Sequence, residues 1–186
     1  METTLPKAIR YAIRHGARVI VCTLGALDPP EKHFGTSLKE AEEAGVLFVQ
    51  AAGNQGRNID TSKFFNYANV YEFLSRYSNV LIVGGTARDG GLSPQMNFGK
   101  RVGIAAPCVD VVAPSWDGYE RLKGPGTSFA APIVAAVAAT LLSQEPELTP
   151  AQVIARLHEA SVLAPGMKGV IGGGRLDMAG LFAPAP

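Results

Sequence analysis

Two short runs of aliphatic and β-branched residues, each entered from a segment of helical period, constrain this chain more than any other feature. Leu5, Ala8, Ile9, Ala12 and Ile13 recur at helical spacing, Gly16 stands where a helix would end, and Val19-Ile20-Val21-Cys22 follows. Leu38, Ala41 and Ala44 repeat the pattern, Gly45 closes it, and Val46-Leu47-Phe48-Val49 comes next. A strand that is apolar at every position has no face for water and must be covered on both sides. Helix, strand, helix, strand with short glycine-marked joins therefore implies parallel strands connected by crossover helices. The expected fold class is α/β, a parallel sheet flanked by helices.

The rest of the chain extends this plan. Residues 51–79 turn polar and aromatic without a clear period and read as one or two long surface loops. A third strand, Val80-Leu81-Ile82-Val83, ends at Gly84-Gly85, and two extended runs over 102–104 and 109–112 stop at Pro107 and Pro114. A long apolar helix is expected over 128–143, halted by Pro146. Its apolar stretch is shorter than the roughly 18–20 residues that cross a bilayer, so it reads as a core helix. A further helix opens with Thr149 as N-cap and Pro150 at the first helical position, and runs through Val153, Ile154 and Leu157. Gly172-Gly173-Gly174, a short helical piece and the tail Ala183-Pro184-Ala185-Pro186 finish the chain. No repeat and no linker interrupts it, so residues 1–186 are expected to form one unit.

With 186 residues, 47% of them hydrophobic, the chain has enough apolar surface to bury a real core. Seventeen basic against 16 acidic side chains leave a formal charge of +1, which provides no field to draw in nucleic acid or an anionic membrane. Cys22 and Cys108 are too few for a disulfide framework. Residues 1–7 lack the basic segment and apolar run of a secretory signal. No lysine follows a glycine-rich turn as in a phosphate-binding loop, and no His, Cys or Asp cluster has metal-ligand spacing.

Two local signals carry chemistry. Gly126-Thr127-Ser128-Phe129-Ala130-Ala131-Pro132 places a serine at the mouth of the long helix, where free amides and the helix dipole stabilise negative charge. An oxyanion forming beside Ser128 would meet backbone N–H groups there. Ala130 and Ala131 allow close packing, and Pro132 is expected in the first turn, where no amide partner is lost. The plain alternative is a helix-capping Thr or Ser. Second, Ala51-Ala52-Gly53-Asn54 follows the second strand, and an asparagine at that end of a parallel strand faces the crevice where open sheets bind ligands. The plain alternative is a Gly-Asn turn.

Taken in order, these strings resemble the subtilases, the subtilisin-like serine proteases. Val19 to Gly25 resembles the family's strand ending in Ser-Leu-Gly, with Thr23 in place of the serine. Ala51 to Asn54 matches its Ala-Ala-Gly-Asn, Ala106-Pro107-Cys108 its Ala-Pro-Gly with cysteine for glycine, Gly126 to Pro132 its nucleophile motif, and Gly172 to Ala179 its closing turn and helix. The resemblance implies a subtilisin-type endopeptidase. In it Ser128 attacks a peptide carbonyl, and the Ser128 amide and Asn54 carboxamide hold the oxyanion. An extended peptide or protein substrate lies along Thr23, Leu24, Gly25 and Ala26, with Thr127 also among the substrate-binding residues. Ala51, Ala52 and Gly53 then line an open, apolar side-chain pocket. No cofactor is implied; structural calcium is compatible with the family, though no site can be assigned from sequence.

The family also needs an Asp and a His before the asparagine segment. Neither string is present here, and His15, His33 and His158 read as solvated or helix-end histidines. A serine without a base is a poor nucleophile, so the chain alone is expected to be nearly inactive. The missing groups would come from an N-terminal subtilase segment. Without that segment the fold is incomplete and leaves an apolar sheet edge that pairs with a partner or with itself. The competing reading is an inactive module whose cleft binds extended peptides or a partner protein.

Overall fold

The computed structural model describes residues 4–25, 27–122 and 124–182. Helix α1 (Thr4–Arg14) turns Pro6 and Ile9 inward, and Gly16, at φ 78°, supplies the left-handed conformation that ends it. Strand β1 (Val19–Cys22) follows, then α2 (Pro30–Phe34), α3 (Ser37–Glu43) and β2 (Leu47–Ala51). Strands β3 (Val80–Thr86) and β4 (Ile104–Pro107) complete a four-stranded sheet in the order β1-β2-β3-β4. Every neighbouring pair is parallel, with Val21 opposite Val49 and Val49 opposite Leu81.

Alternation along β2 divides the core in two. Phe48 faces Phe34, Leu38, Tyr71 and Ile82 on one side of the sheet. Leu47 and Val49 face Ala130, Val134 and Leu141 on the other. That second layer is α5 (Thr127–Gln144), 18 residues long, laid across all four strands. By length and composition alone α5 is apolar enough to cross a bilayer; in this fold its apolar face is the core. Helix α6 (Pro150–Glu159) starts with the expected Thr149 cap. The cap is reciprocal, because the Gln152 side chain accepts the Thr149 amide while the Thr149 hydroxyl accepts the Gln152 amide. A short α7 (Met178–Leu181) follows.

Three sequence expectations need correction. Residues 51–79 are not all loop: α4 (Tyr67–Leu74) buries Tyr67, Val70, Tyr71, Phe73 and Leu74. The run expected over 109–112 is broken by Asp110, which adopts φ 52°. The extended structure lies further on, as an antiparallel hairpin of β5 (Val112–Ser115) and β6 (Gly118–Arg121) turning at Trp116-Asp117. Finally, Pro132 is the sixth residue of α5, beyond the first turn. Its missing N–H leaves the Ser128 carbonyl without an intrahelical donor.

The two sheet edges differ. On β4, the amide of Ala105 donates to the Gly174 carbonyl and that of Leu176 to Ala105, so the chain's own later segment covers that edge. Among the described residues no strand pairs with the outer edge of β1, where Val21 is 41% exposed.

Candidate active site

The C-terminal end of β2 and the N-terminus of α5 meet at the carboxyl end of the sheet, where open parallel sheets bind ligands. The amide of Thr127, first residue of α5, donates to Asn54 Oδ1 at 2.8 Å, and the Thr127 hydroxyl donates to the same oxygen at 2.9 Å. The hydroxyl in turn accepts the Gly53 amide at 3.0 Å. Thr127, itself buried, thus ties the asparagine turn to the helix that carries Ser128. Two donors on Oδ1 fix the carboxamide plane and leave Nδ2, with both its protons, unpartnered among the described residues. Gly126, not Ser128, is the N-cap of α5, with no side-chain cap. Ser128 sits at the second helical position, where its amide has no intrahelical acceptor, and among the described residues nothing hydrogen-bonds its Oγ. No charged residue lies within 51–54 or 126–132, and the free amides at the start of α5 carry the partial positive charge of the helix end.

The approach to α5 is anchored as well. The Gly126 amide donates to the Cys108 carbonyl at 2.9 Å. Cys108, where the resemblance called for glycine, does not require a left-handed backbone. Its thiol is fully buried, donates to the Thr86 carbonyl at 3.3 Å, and fills space that a Cβ on Gly85 would enter, 2.5 Å from Sγ. Burial pushes the pKa of this thiol up, outweighing the Ser93 and Gly126 hydrogen bonds that pull it down.

Thr23, Leu24 and Gly25, the expected substrate edge, follow β1 as exposed residues; Ala26 lies outside the described residues. The Leu24 carbonyl is turned inward, accepting Gln50 Nε2 at 2.9 Å. Ala51 and Ala52, expected to line the side-chain pocket, are both buried. Alternation sends Ala51 into the α5 core and Ala52 into the opposite one, so of that trio Gly53 alone reaches solvent.

What the alanines contribute is carbonyls held in place. Tyr71, completely buried on α4, directs its hydroxyl at the Ala52 and Ala51 carbonyls, at 2.7 and 3.1 Å. Burial, reinforced by Tyr67 and Cys22, pushes the Tyr71 pKa up, so it remains a neutral donor. Gln50 Nε2 adds a second donor to Ala51, at 3.0 Å. Sequence reading missed Tyr71, although Tyr67, Val70, Tyr71 and Leu74 keep a helical i, i+3, i+4, i+7 spacing that would have exposed it.

The histidines lie elsewhere. His15 Nδ1 pairs with the Tyr11 carbonyl at the end of α1, His33 belongs to α2, and His158 on α6 packs against Gly103, where desolvation lowers its pKa. Among the described residues no group of three or more His, Cys, Asp or Glu side chains could hold a metal ion.

A four-stranded parallel sheet flanked by helices, with an asparagine at a strand tip bonded to the first turn of a serine-bearing helix, defines an α/β protein of subtilisin-like fold. Residues 2–174 match the family model described as Peptidase S8, Subtilase family, and the chain belongs to that family. It is similar to the thermostable alkaline protease of Halalkalibacterium halodurans, 30% identical over 158 residues, which cover 85% of this chain and 40% of that protein. It is also similar to the thermophilic serine proteinase of Bacillus sp. strain AK1, 36% identical over 137 residues, covering 74% of this chain and 31% of the relative. Among solved structures, that of the patellamide maturation protease PatA superposes with a TM-score of 0.74 at 27% identity, over 96% of this chain and 66% of that one. The chain thus spans well under half of these two curated relatives and about two thirds of the solved domain.

Proposed function

We propose that this chain is the nucleophile-bearing part of a subtilisin-type serine endopeptidase. Ser128 Oγ attacks the carbonyl carbon of a peptide bond; its proton passes to a base, and the carbonyl oxygen becomes an oxyanion. The Ser128 amide and Asn54 Nδ2 donate to that oxyanion. The observation that carries the reading is the pair of Thr127 hydrogen bonds on Asn54 Oδ1, because they hold the carboxamide beside Ser128 with its donors free. The cost of losing such a donor, about 2.7–4 kcal/mol, is the value measured in subtilisin itself and carries over by family. The peptide lies extended along Thr23 to Ala26, where main-chain groups pair with it as an added strand.

The base and its orienting carboxylate belong, in this reading, to an N-terminal subtilase segment outside this chain. The open edge of β1, with half-exposed Val21, is where such a segment adds its strands. Mixing the chain with a candidate segment and a serine-directed phosphonate tests this. Ser128 is expected to be labelled in the mixture and not in the chain alone. An absence of labelling with any segment overturns the enzymatic reading in favour of a peptide-binding module.

A further inference from the structure

Asn97, fully buried in the loop after β3, uses every hydrogen-bonding position of its carboxamide on one short stretch of chain. Its Oδ1 accepts the amides of Gln55 at 3.1 Å and Arg57 at 3.0 Å. Its Nδ2 donates to the Ala52 carbonyl at 2.7 Å and to Gln55 Oε1 at 3.2 Å. Its own amide donates to the Gly53 carbonyl at 2.9 Å. Residues on both sides of Asn54 are therefore bonded to a single side chain, with Asn54 at the apex. Gln55 Oε1 closes the turn by accepting the Asn54 amide at 2.9 Å and the Tyr67 hydroxyl at 2.6 Å.

Two further facts show that the turn is built around this residue. A Cβ on Gly53 would lie 2.5 Å from Asn97 Nδ2, so the glycine is required by the approach of the carboxamide as well as by its φ of 96°. Only an asparagine or glutamine side chain offers two acceptor and two donor positions in one plane, and here all four are used. Neighbouring backbone bonds, Gly56 N to the Gln95 carbonyl and Phe98 N to Arg57, keep the two loops in register.

We infer that Asn97 is the positioning residue of the oxyanion donor: it casts the turn that presents Asn54, without itself bonding Ser128. This rests on the reading of Asn54 given above, but its test does not. The Thr127 amide, bonded to Asn54 Oδ1, reports whether Asn54 is in place. In the full chain, Asn97→Ala should speed hydrogen exchange at Thr127 about tenfold relative to Val137 in the interior of α5. Asn54→Ala sets the scale for complete loss. Leu157→Ala, a buried change on α6, should lower overall stability and speed exchange at Val137 with no selective gain at Thr127. Should Asn97→Ala not fold, Asn97→Ser is read in the same way. A wild-type ratio in the Asn97 variant overturns the inference whatever happens at Ser128. Loss of protection at Thr127 combined with failure of phosphonate labelling would sink the enzymatic reading and leave the positioning role standing.

Discussion

Thr127→Val tests the joint between the strand tip and the helix with little change of shape. Valine keeps the β-branch and volume of the buried threonine but removes the hydroxyl, which serves both Asn54 Oδ1 and the Gly53 amide. The two losses are unequal. Asn54 Oδ1 keeps the Thr127 amide at 2.8 Å, so the first costs about 0.5–1 kcal/mol. Gly53 N–H loses the one partner it has among the described residues, and a half-buried orphan donor costs about 1–2 kcal/mol. The expected destabilisation is thus about 2 kcal/mol. With a urea dependence of about 2 kcal/mol per molar, the unfolding midpoint should fall by about 1 M at unchanged slope. A shift below about 0.2 M would mean that the hydroxyl does not hold the joint, and the placing of Asn54 would need another explanation.

Tyr71→Phe should cost less, about 1 kcal/mol by the same urea assay, because the Ala51 and Ala52 carbonyls retain Gln50 and Asn97 as donors. Gly53→Ala should destabilise by at least about 2 kcal/mol, since it adds a left-handed strain to the collision with Asn97; a near-neutral result would show that the turn can relax. Glu40 is held down at about 2 by hydrogen bonds from Arg10 and Thr36. A depressed carboxylate stabilises the fold above its unfolded pKa, so wild type should exceed Glu40→Gln in stability at pH 7. That margin should shrink as pH falls from the ordinary carboxylate range towards 2, and a margin independent of pH would refute the ion-pair account.

Legibility in the sequence followed the range of the forces involved. Val19 to Cys22, Val46 to Val49 and Val80 to Val83 were readable as strands because burial on both faces demands continuous apolar runs, a demand written into consecutive residues. Helix α4 was hidden because Phe64, Phe65 and Asn66, the latter two at positive φ, precede it and blur its period. The hairpin was missed because Asp110 breaks the run expected over 109–112, and the turn at Trp116-Asp117 has no glycine at either central position.

Sequence by itself determined the alternation of helices and strands, the apolar core helix and the identity of the two chemistry-bearing strings, since each depends on residues close together in the chain. Tertiary structure alone decided that Thr127 clamps Asn54 across 73 positions, that Asn97 and Tyr71 hold the turn from behind, and that Ala51 and Ala52 face the cores. Hydrogen bonds between distant segments leave no periodic trace in the chain. Their partners are chosen by where the sheet sets each loop down, and that placement exists only once the strands have paired.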